Sequence, residues 1–566
     1  MSSCPQCNKQ FETAPEELAF IDKISPVFNG KKYAIAPSKL CTVCRQRRRL
    51  VTRNEIHLYH RKCDLTGEKI ISSLSPDKPF KVYKTETWWG DDWDPMQYGR
   101  AYNPQKSFFE QFGELQREVP RMALIIANNE TSPYINHCWN TKNSYMCFNM
   151  GFSQDVLYSR ITYHCKDVAD TLFTHDSELC YNLINCQKCY DCSFLLDCGG
   201  CTDAFFSFDC KGCGSIAFCS NLRNKSFHIF NKPVSKEEFQ KFVKEMKKGS
   251  YRQFKKYIND FENLVENGSI HRHSHNQNIE NCEGDYILNS KNCINCYDTA
   301  DSQDVRDGTN LDEKVTDSIA IDHAVLCELC YEGQCINGNK ILFSMFSYLD
   351  DADCMYCDGV MSSGNCFGCV GLKRKQYCIL NKQYTREEYE KLVPQIIEQM
   401  QKDGEWGEFF PPACIPYSYN ESLAQESFPL TKEQAVNLGY GWKDEADRQK
   451  HGQPAELPDE IGTLSADITT QVLACENCGS NYKLIEREVN FYKSQGVPAP
   501  RKCFACRHAD RAKYRTANKL FTRACAKCAG QIQTTYAPES PATSAAGPRS
   551  GGEKVYCEKC YLKEVY

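Results

Sequence analysis

Between Trp139 and Leu222 the apolar and polar positions of the chain fall into seven rows of twelve residues. The third position of each row reads Thr141, Ser153, Cys165, Ser177, Cys189, Cys201 and Cys213, a column of small side chains. The sixth is small or apolar: Ser144, Val156, Val168, Cys180, Cys192, Ala204 and Ile216. The fifth is mostly acidic or amide: Asn143, Asp155, Asp167, Leu179, Asp191, Asp203 and Ser215. Aromatic rings recur at the eighth, in Tyr158, Phe194 and Phe206. A short fixed period implies that each repeat buries its face only on its neighbours. Twelve residues are too few for a helix pair and enough for one small β-coil. Small side chains suit its narrow interior and Asp or Asn its turns.

The lattice is duplicated. TKNSYMCFNMGFSQDV at 141–156 matches SKNCINCYDTADSQDV at 290–305, and SELCYN at 177–182 matches CELCYE at 327–332. The exits match best, 219–242 against 369–392. The second copy keeps the period in Cys354, Cys366 and Cys378, and its row around Val315 needs one inserted residue. Each copy ends in a Lys/Glu-rich segment that starts after Ser235 or Thr385 with a Ser/Thr-x-x-Glu capping box, which predicts a helix closing the open end. The expected fold is mainly β with helical caps: two duplicated twelve-residue-repeat β-solenoid arrays flanked by treble-clef zinc ribbons. Coils of this length resemble those of small insect antifreeze β-helices, an analogy of fold alone.

Composition adds the chemistry. The 566 residues include 37 cysteines. Twelve of these form three paired knuckles near the two ends: Cys4, Cys7, Cys41 and Cys44; Cys475, Cys478, Cys503 and Cys506; Cys525, Cys528, Cys557 and Cys560. Two CxxC pairs supply the four thiolates of tetrahedral zinc, each pair chelating from one tight turn. About three structural zinc ions are expected, with a rubredoxin-type iron site as the alternative for the same ligands. For the remaining cysteines three readings stay open: stacked packing groups, disulfides, or metal between stacked rows, with Cys186, Cys189, Cys198 and Cys201 as the best internal candidates.

Charge is uneven. Residues 1–66 hold 12 Lys and Arg against 6 Asp and Glu, and residues 475–566 hold 16 against 8, while the whole chain has a net charge of −5. Basic modules therefore flank an acidic body. Arg45, Arg47, Arg48, Arg49 and Arg53 form one cluster, and Arg507, Arg511, Lys513 and Arg515 belong to another. They read either as contacts to RNA, DNA or a ribonucleoprotein, or as solvated helix faces.

In the first two modules the second knuckle runs into a basic helix, as in Cys44-Arg-Gln-Arg-Arg-Arg and Cys506-Arg-His-Ala-Asp-Arg. With the acidic-aromatic segment between the knuckles (Glu17 to Ile21 loosely, Glu488 to Tyr492 closely), this frame resembles a family of zinc-ribbon, treble-clef domains. That resemblance implies structural zinc and no catalysis. The whole order of segments resembles large cysteine-rich zinc-ribbon proteins of small-genome bacteria, which implies architecture and a bacterial cytoplasmic origin but no reaction.

These signals divide the chain into a first ribbon with its basic helix (1–66), a Trp-rich entry segment (67–138) and the first array (139–232). A helical linker (233–287), the second array (288–382), a helical cap and linker (383–474) and two further ribbons (475–520, 521–566) follow. Within the third ribbon, Ala537 to Gly552 reads as a flexible loop. Trp88, Trp89 and Trp93 read as a buried plug over the end of the first array. His57, His60 and Cys63 fall at i, i+3 and i+6 of the same basic helix and read either as its surface residues or as three metal ligands, and Cys63-Asp-Leu-Thr-Gly looks like half a knuckle without its partner.

No run approaches the ~18 apolar residues of a membrane span, and the start has no apolar leader, so a reducing cytoplasm is the expected compartment. No P-loop, Rossmann fingerprint, HExxH or GxSxG occurs. The chain reads as a non-enzymatic zinc-binding scaffold. A thiol-redox or metal-handling protein using the array CxxC rows is the alternative.

Overall fold

The computed structural model describes residues 1–311, 314–323, 327–334, 338–348, 351–444, 455–538 and 552–566. The protein is mainly β. It divides into two compact units, each drawn from two separated stretches of chain. One unit combines Met1–Leu124 with Ser274–Lys443, and the other combines Ile125–His273 with Asp444–Tyr566.

In the second of these units, strands of the first array pair in parallel at a constant offset of twelve. Asn136 pairs with Phe148, Phe148 with Arg160, Arg160 with Leu172 and Leu172 with Ile184. The offset continues from Tyr181 to Ser193, Phe205 and Ala217. Inside each row lies a finer period. Every third residue from Thr131 to Phe230 has a left-handed backbone, φ near +50°. A row of twelve therefore turns four corners. Left-handed backbone costs a non-glycine residue about 1–2 kcal/mol, least for Asn and Asp. Asn143, Asp155, Asp167, Asp191 and Asp203 of the polar column all occupy such corners.

The residue after each corner points into the coil. Cys138, Cys147, Met150, Val156, Cys165 and Val168 begin a buried file that runs on to Cys219, each member a multiple of three residues from the last. Ser and Cys are interchangeable there, because both donate to the carbonyl two residues back. Ser153 Oγ reaches Gly151 O at 2.8 Å and Ser177 Oγ reaches His175 O at 2.9 Å, while Cys186 Sγ reaches Ile184 O at 3.3 Å and Cys198 Sγ reaches Leu196 O at 3.4 Å. The hydroxyl or thiol is thus a second donor to a carbonyl that already accepts from the next row, as Gly151 O does from the His164 N–H at 3.2 Å and Leu196 O from the Asp209 N–H at 2.9 Å.

Aromatic corners stack on the outside. Phe194, Phe206, Phe218 and Phe230 lie 4.7, 4.9 and 5.0 Å apart between ring centroids. The helix Tyr251–Asn263 covers this ladder with Phe254, Tyr257 and Phe261. Amphipathic burial, rather than propensity alone, holds that helix in place.

The other unit contains the second array. Left-handed positions run every third residue from Tyr286 to Asn310 and resume at Lys314. The same inserted residue moves the pairing of Gln303 to Thr316, an offset of thirteen, as the row around Val315 required. Twelve-residue offsets return in Gly364 with Gln376 and Cys366 with Cys378. Both arrays finish in a short antiparallel hairpin and a helix, Lys236–Met246 or Arg386–Asp403, whose Ser235 and Thr385 capping boxes are formed.

The tryptophan segment packs elsewhere than expected. Trp88 and Trp93 are buried in the unit of the second array, where the Lys373 ammonium lies 5.1 Å from both rings. Phe108 continues the layer onto Tyr356 and Phe367, against Gly368, where a Cβ would fall 2.7 Å from its ring. The reason is chain pairing: Val82–Tyr83 and Arg121–Met122 form a small parallel sheet within this unit that carries the segment with it. Among the described residues no helix is long and apolar enough to cross a membrane.

Candidate metal centres

Three tetrads bring four sulfurs within 4.8 Å of one another: Cys4, Cys7, Cys41 and Cys44; Cys475, Cys478, Cys503 and Cys506; and Cys525, Cys528, Cys557 and Cys560. All twelve expected ligands are therefore assembled in the expected sets. One sulfur pair between the knuckles of each tetrad is 3.6, 3.7 and 3.8 Å apart respectively. A tetrahedron with metal–sulfur bonds of about 2.3 Å has edges of about 3.8 Å, whereas a disulfide needs about 2.05 Å. The donor sets fit a four-coordinate metal ion.

Local structure explains the fit. The first knuckle of each set is a tight turn: the N–H of Asn8, Gly479 or Ala529 donates to the carbonyl of Cys4, Cys475 or Cys525 at 2.8–2.9 Å. The second knuckle caps a helix, with Cys41, Cys503 and Cys557 preceding Thr42–Leu50, Phe504–Ala512 and Glu558–Val565. Free N–H groups and the dipole at a helix start favour thiolate. Against the desolvation that raises it, the N–H groups of Cys557, Cys528 and Lys527 bring the Cys525 thiol down to about 6. The third set is the most open, with Cys528 exposed and Cys557 and Cys560 half-buried. The loop read from Ala537 to Gly552 lies mostly outside the described residues, at 539–551.

A fourth module has the same backbone without the ligands. Tyr59–Lys62 and Lys69–Ser72 form a hairpin around Cys63, as Phe521–Ala524 and Gln531–Thr534 do around Cys525. The N–H of Lys84 donates to Cys63 Sγ at 3.3 Å, as that of Cys557 donates to Cys525 Sγ at 3.3 Å. Thr66 and Lys84 thus occupy places that Cys528 and Cys557 hold in the metal-fitted version. His57, His60 and Cys63 share no helix, because the basic helix ends at Leu50 and Tyr59–Lys62 is a strand.

The array cysteines make no metal group among the described residues, and Cys186, Cys189, Cys198 and Cys201 stay separate file members. Every cysteine among the described residues is a free thiol, and nearly all of those in the arrays are buried. Burial pushes Cys147 and Cys165 up to about 12, which keeps them protonated at neutral pH.

The basic clusters turn inward. Arg45 meets Glu17 at 2.5 Å and Glu332 at 3.0 Å, Arg48 meets Glu332 at 2.7 Å, and Arg49 meets Asp322 at 2.7 Å. In the other unit Arg507 and Arg511 each reach Asp170 at 2.6 Å, one on each carboxylate oxygen. Arg53 pairs with Glu55, Arg47 bonds Gln6, Lys513 pairs with Glu262, and Arg515 bonds Asn185. The residues read as nucleic-acid contacts are thus engaged within the chain, and Arg45, Arg48, Arg49, Arg53, Arg507 and Arg511 are buried. Adjacent acidic residues on the arrays supply the physical reason, since an unpaired buried guanidinium is far costlier than an exposed one.

The two docking helices are equivalents. Arg45 and Arg507 directly follow the last ligand of their tetrads, and Arg49 and Arg511 lie four residues further on. Arg49 Nη2 donates to Asp307 O at 3.2 Å, and Arg511 Nη2 donates to Tyr158 O at 3.1 Å.

No family model and no curated protein matches the chain. Among solved structures, a "putative acetyltransferase" from Desulfovibrio desulfuricans G20 aligns over 49% of this chain and 81% of its own, with 9% identity and a TM-score of 0.10.

Proposed function

We propose that the protein is a non-enzymatic, zinc-loaded scaffold of the reducing cytoplasm. In this reading each tetrad holds one structural zinc ion in a treble-clef ribbon, and the stacked rows of twelve are two β-solenoids on which the ribbon helices dock. The observation that carries it is the closed donor set. Four thiols within 4.8 Å of one another fill a tetrahedral donor set and leave no open position of the kind catalytic zinc keeps. Bound there, zinc supplies a cross-link between the first knuckle and the helix that carries the docking arginines.

The rival, thiol redox or metal handling by the array, has less support. Among the described residues nearly all of its sulfurs are buried, they donate to carbonyls, and they do not gather into ligand sets. Nucleic acid is not proposed as the partner, because the basic residues that suggested it already have partners in the chain.

Metal analysis and thiol titration on one purified sample test the proposal. We expect about three zinc ions per chain, the capacity of three Cys₄ sites. Array thiols should react with an aromatic disulfide reagent only after denaturation. Substantially more metal, or fast-reacting native thiols at Cys186–Cys213, would favour the rival.

A further inference from the structure

In the unit of the first array, a cavity of about 580 Å³ opens between the array, the helix Tyr251–Asn263 and the second tetrad module. Its volume lies in the range of sites for small organic ligands, about 300–1,000 Å³. Its apolar lining comes from Tyr181 and Phe194 of the array and Phe254, Ile258 and Phe261 of the helix. Six cationic side chains line it against four acidic ones. Arg507 and Arg511 form part of the wall, 8% and 2% exposed, and the Nε of each is buried without a hydrogen-bond partner among the described residues.

The duplicated array distributes charge differently at the equivalent positions. Tyr181-Asn182 corresponds to Tyr331-Glu332 in the matched segments. Glu332 accepts from both Arg45 and Arg48. Its counterpart Asn182 is neutral and lines the cavity, Asp510 stands where the equivalent helix has Arg48, and Arg507 meets Asp170 at 2.6 Å, the Tyr492 hydroxyl at 2.9 Å and Glu488 at 3.9 Å. Arg507 and Arg511 share the single Asp170 carboxylate, so the lining keeps an excess of positive charge that a bound anion would offset.

We propose that this cavity binds an organic anion with a planar aromatic body. The ligand's carboxylate, sulfonate or phosphate offsets the cationic excess of the lining, and its ring packs between the aromatic walls.

The test uses the full-length, metal-loaded protein and two fluorescent probes: 8-anilino-1-naphthalenesulfonate, an aromatic anion, and N-phenyl-1-naphthylamine, its neutral counterpart. One saturable site per chain is expected for the anion, with the neutral probe about tenfold weaker or more. Asn182→Glu places a further carboxylate in the wall and should weaken the anion by about tenfold or more at unchanged metal content. Ile258→Trp, which fills the apolar side, should weaken both probes and serves where Asn182→Glu lowers the melting temperature. Equal affinity for the two probes, or affinity that neither substitution changes, overturns the proposal. Metal content is read separately, so either outcome leaves the structural-zinc reading to its own test.

Discussion

At the scale of single residues, the cysteines of the arrays are explained by size and by one weak hydrogen bond. Cys189 sits between Ser177 and Cys201 in the same column and donates to Gln187 O at 3.5 Å, the bond that Ser177 makes to His175 O. Cys189→Ser should therefore change stability by less than about 1 kcal/mol. Cys189→Leu overpacks the coil and should cost about 1–3 kcal/mol. Thermal melting of the full-length protein checks both, and a severe loss with Ser would indicate that the sulfur does something packing does not. The twelve-residue row was legible because its columns repeat residue types. The three-residue corner period was hidden, because left-handed corners accept Met146, Tyr158, Phe173 and Leu179 as well as Asn and Asp. Their intrinsic cost of about 1–2 kcal/mol each is offset by ladder and core contacts, which a propensity argument does not count.

At the scale of elements, the ligand sets were readable from spacing, since a CxxC pair is a local geometry. The fate of the basic helices was not, because an arginine run looks the same whether it faces water or a carboxylate nearly 300 residues away. One signal was present: Arg45 and Arg49 recur as Arg507 and Arg511, and Glu17 recurs as Glu488 at the third residue of the preceding helix. Burial opposes the ionised form of Glu332, yet Arg48, Arg45 and Arg49 hold its carboxyl at about 2, below the ordinary 4.5. Its folded value is depressed, so the stabilisation is fully present above about pH 4.5 and is lost as pH falls toward 2. The shift corresponds to roughly 3 kcal/mol. Glu332→Gln should be destabilised by that order at pH 7 and converge with the parent near pH 2. Melting curves of both proteins across this range read the difference, and metal release in acid is common to the pair. A constant gap between the curves would assign the loss to shape rather than charge.

At the scale of the molecule, the sequence suggests modules following one another in chain order, whereas each compact unit joins segments far apart in the chain. The N-terminal tetrad docks on the second array through Arg45, Arg48 and Arg49, and the second tetrad docks on the first array through Arg507 and Arg511. Sequence neighbours and structural partners therefore differ, and a truncation separates the two descriptions. Removing residues 1–66 leaves Glu332 and Asp322 without their guanidinium partners, a buried loss of about 3–5 kcal/mol per broken pair. Hydrogen exchange should then rise in Thr316–Asp322 and Cys330–Gln334 of the second array, while Tyr181, Ser193 and Phe205 of the first keep their protection. Removing residues 475–566 should do the reverse, loosening the rows around Asp170. If modules served only as fittings on their sequence neighbours, deletion of 1–66 would instead loosen the first array, beginning at Asn136–Lys142. The cross-over pattern of protection decides between them, because local opening reports the partner an element has lost, whatever its distance along the chain.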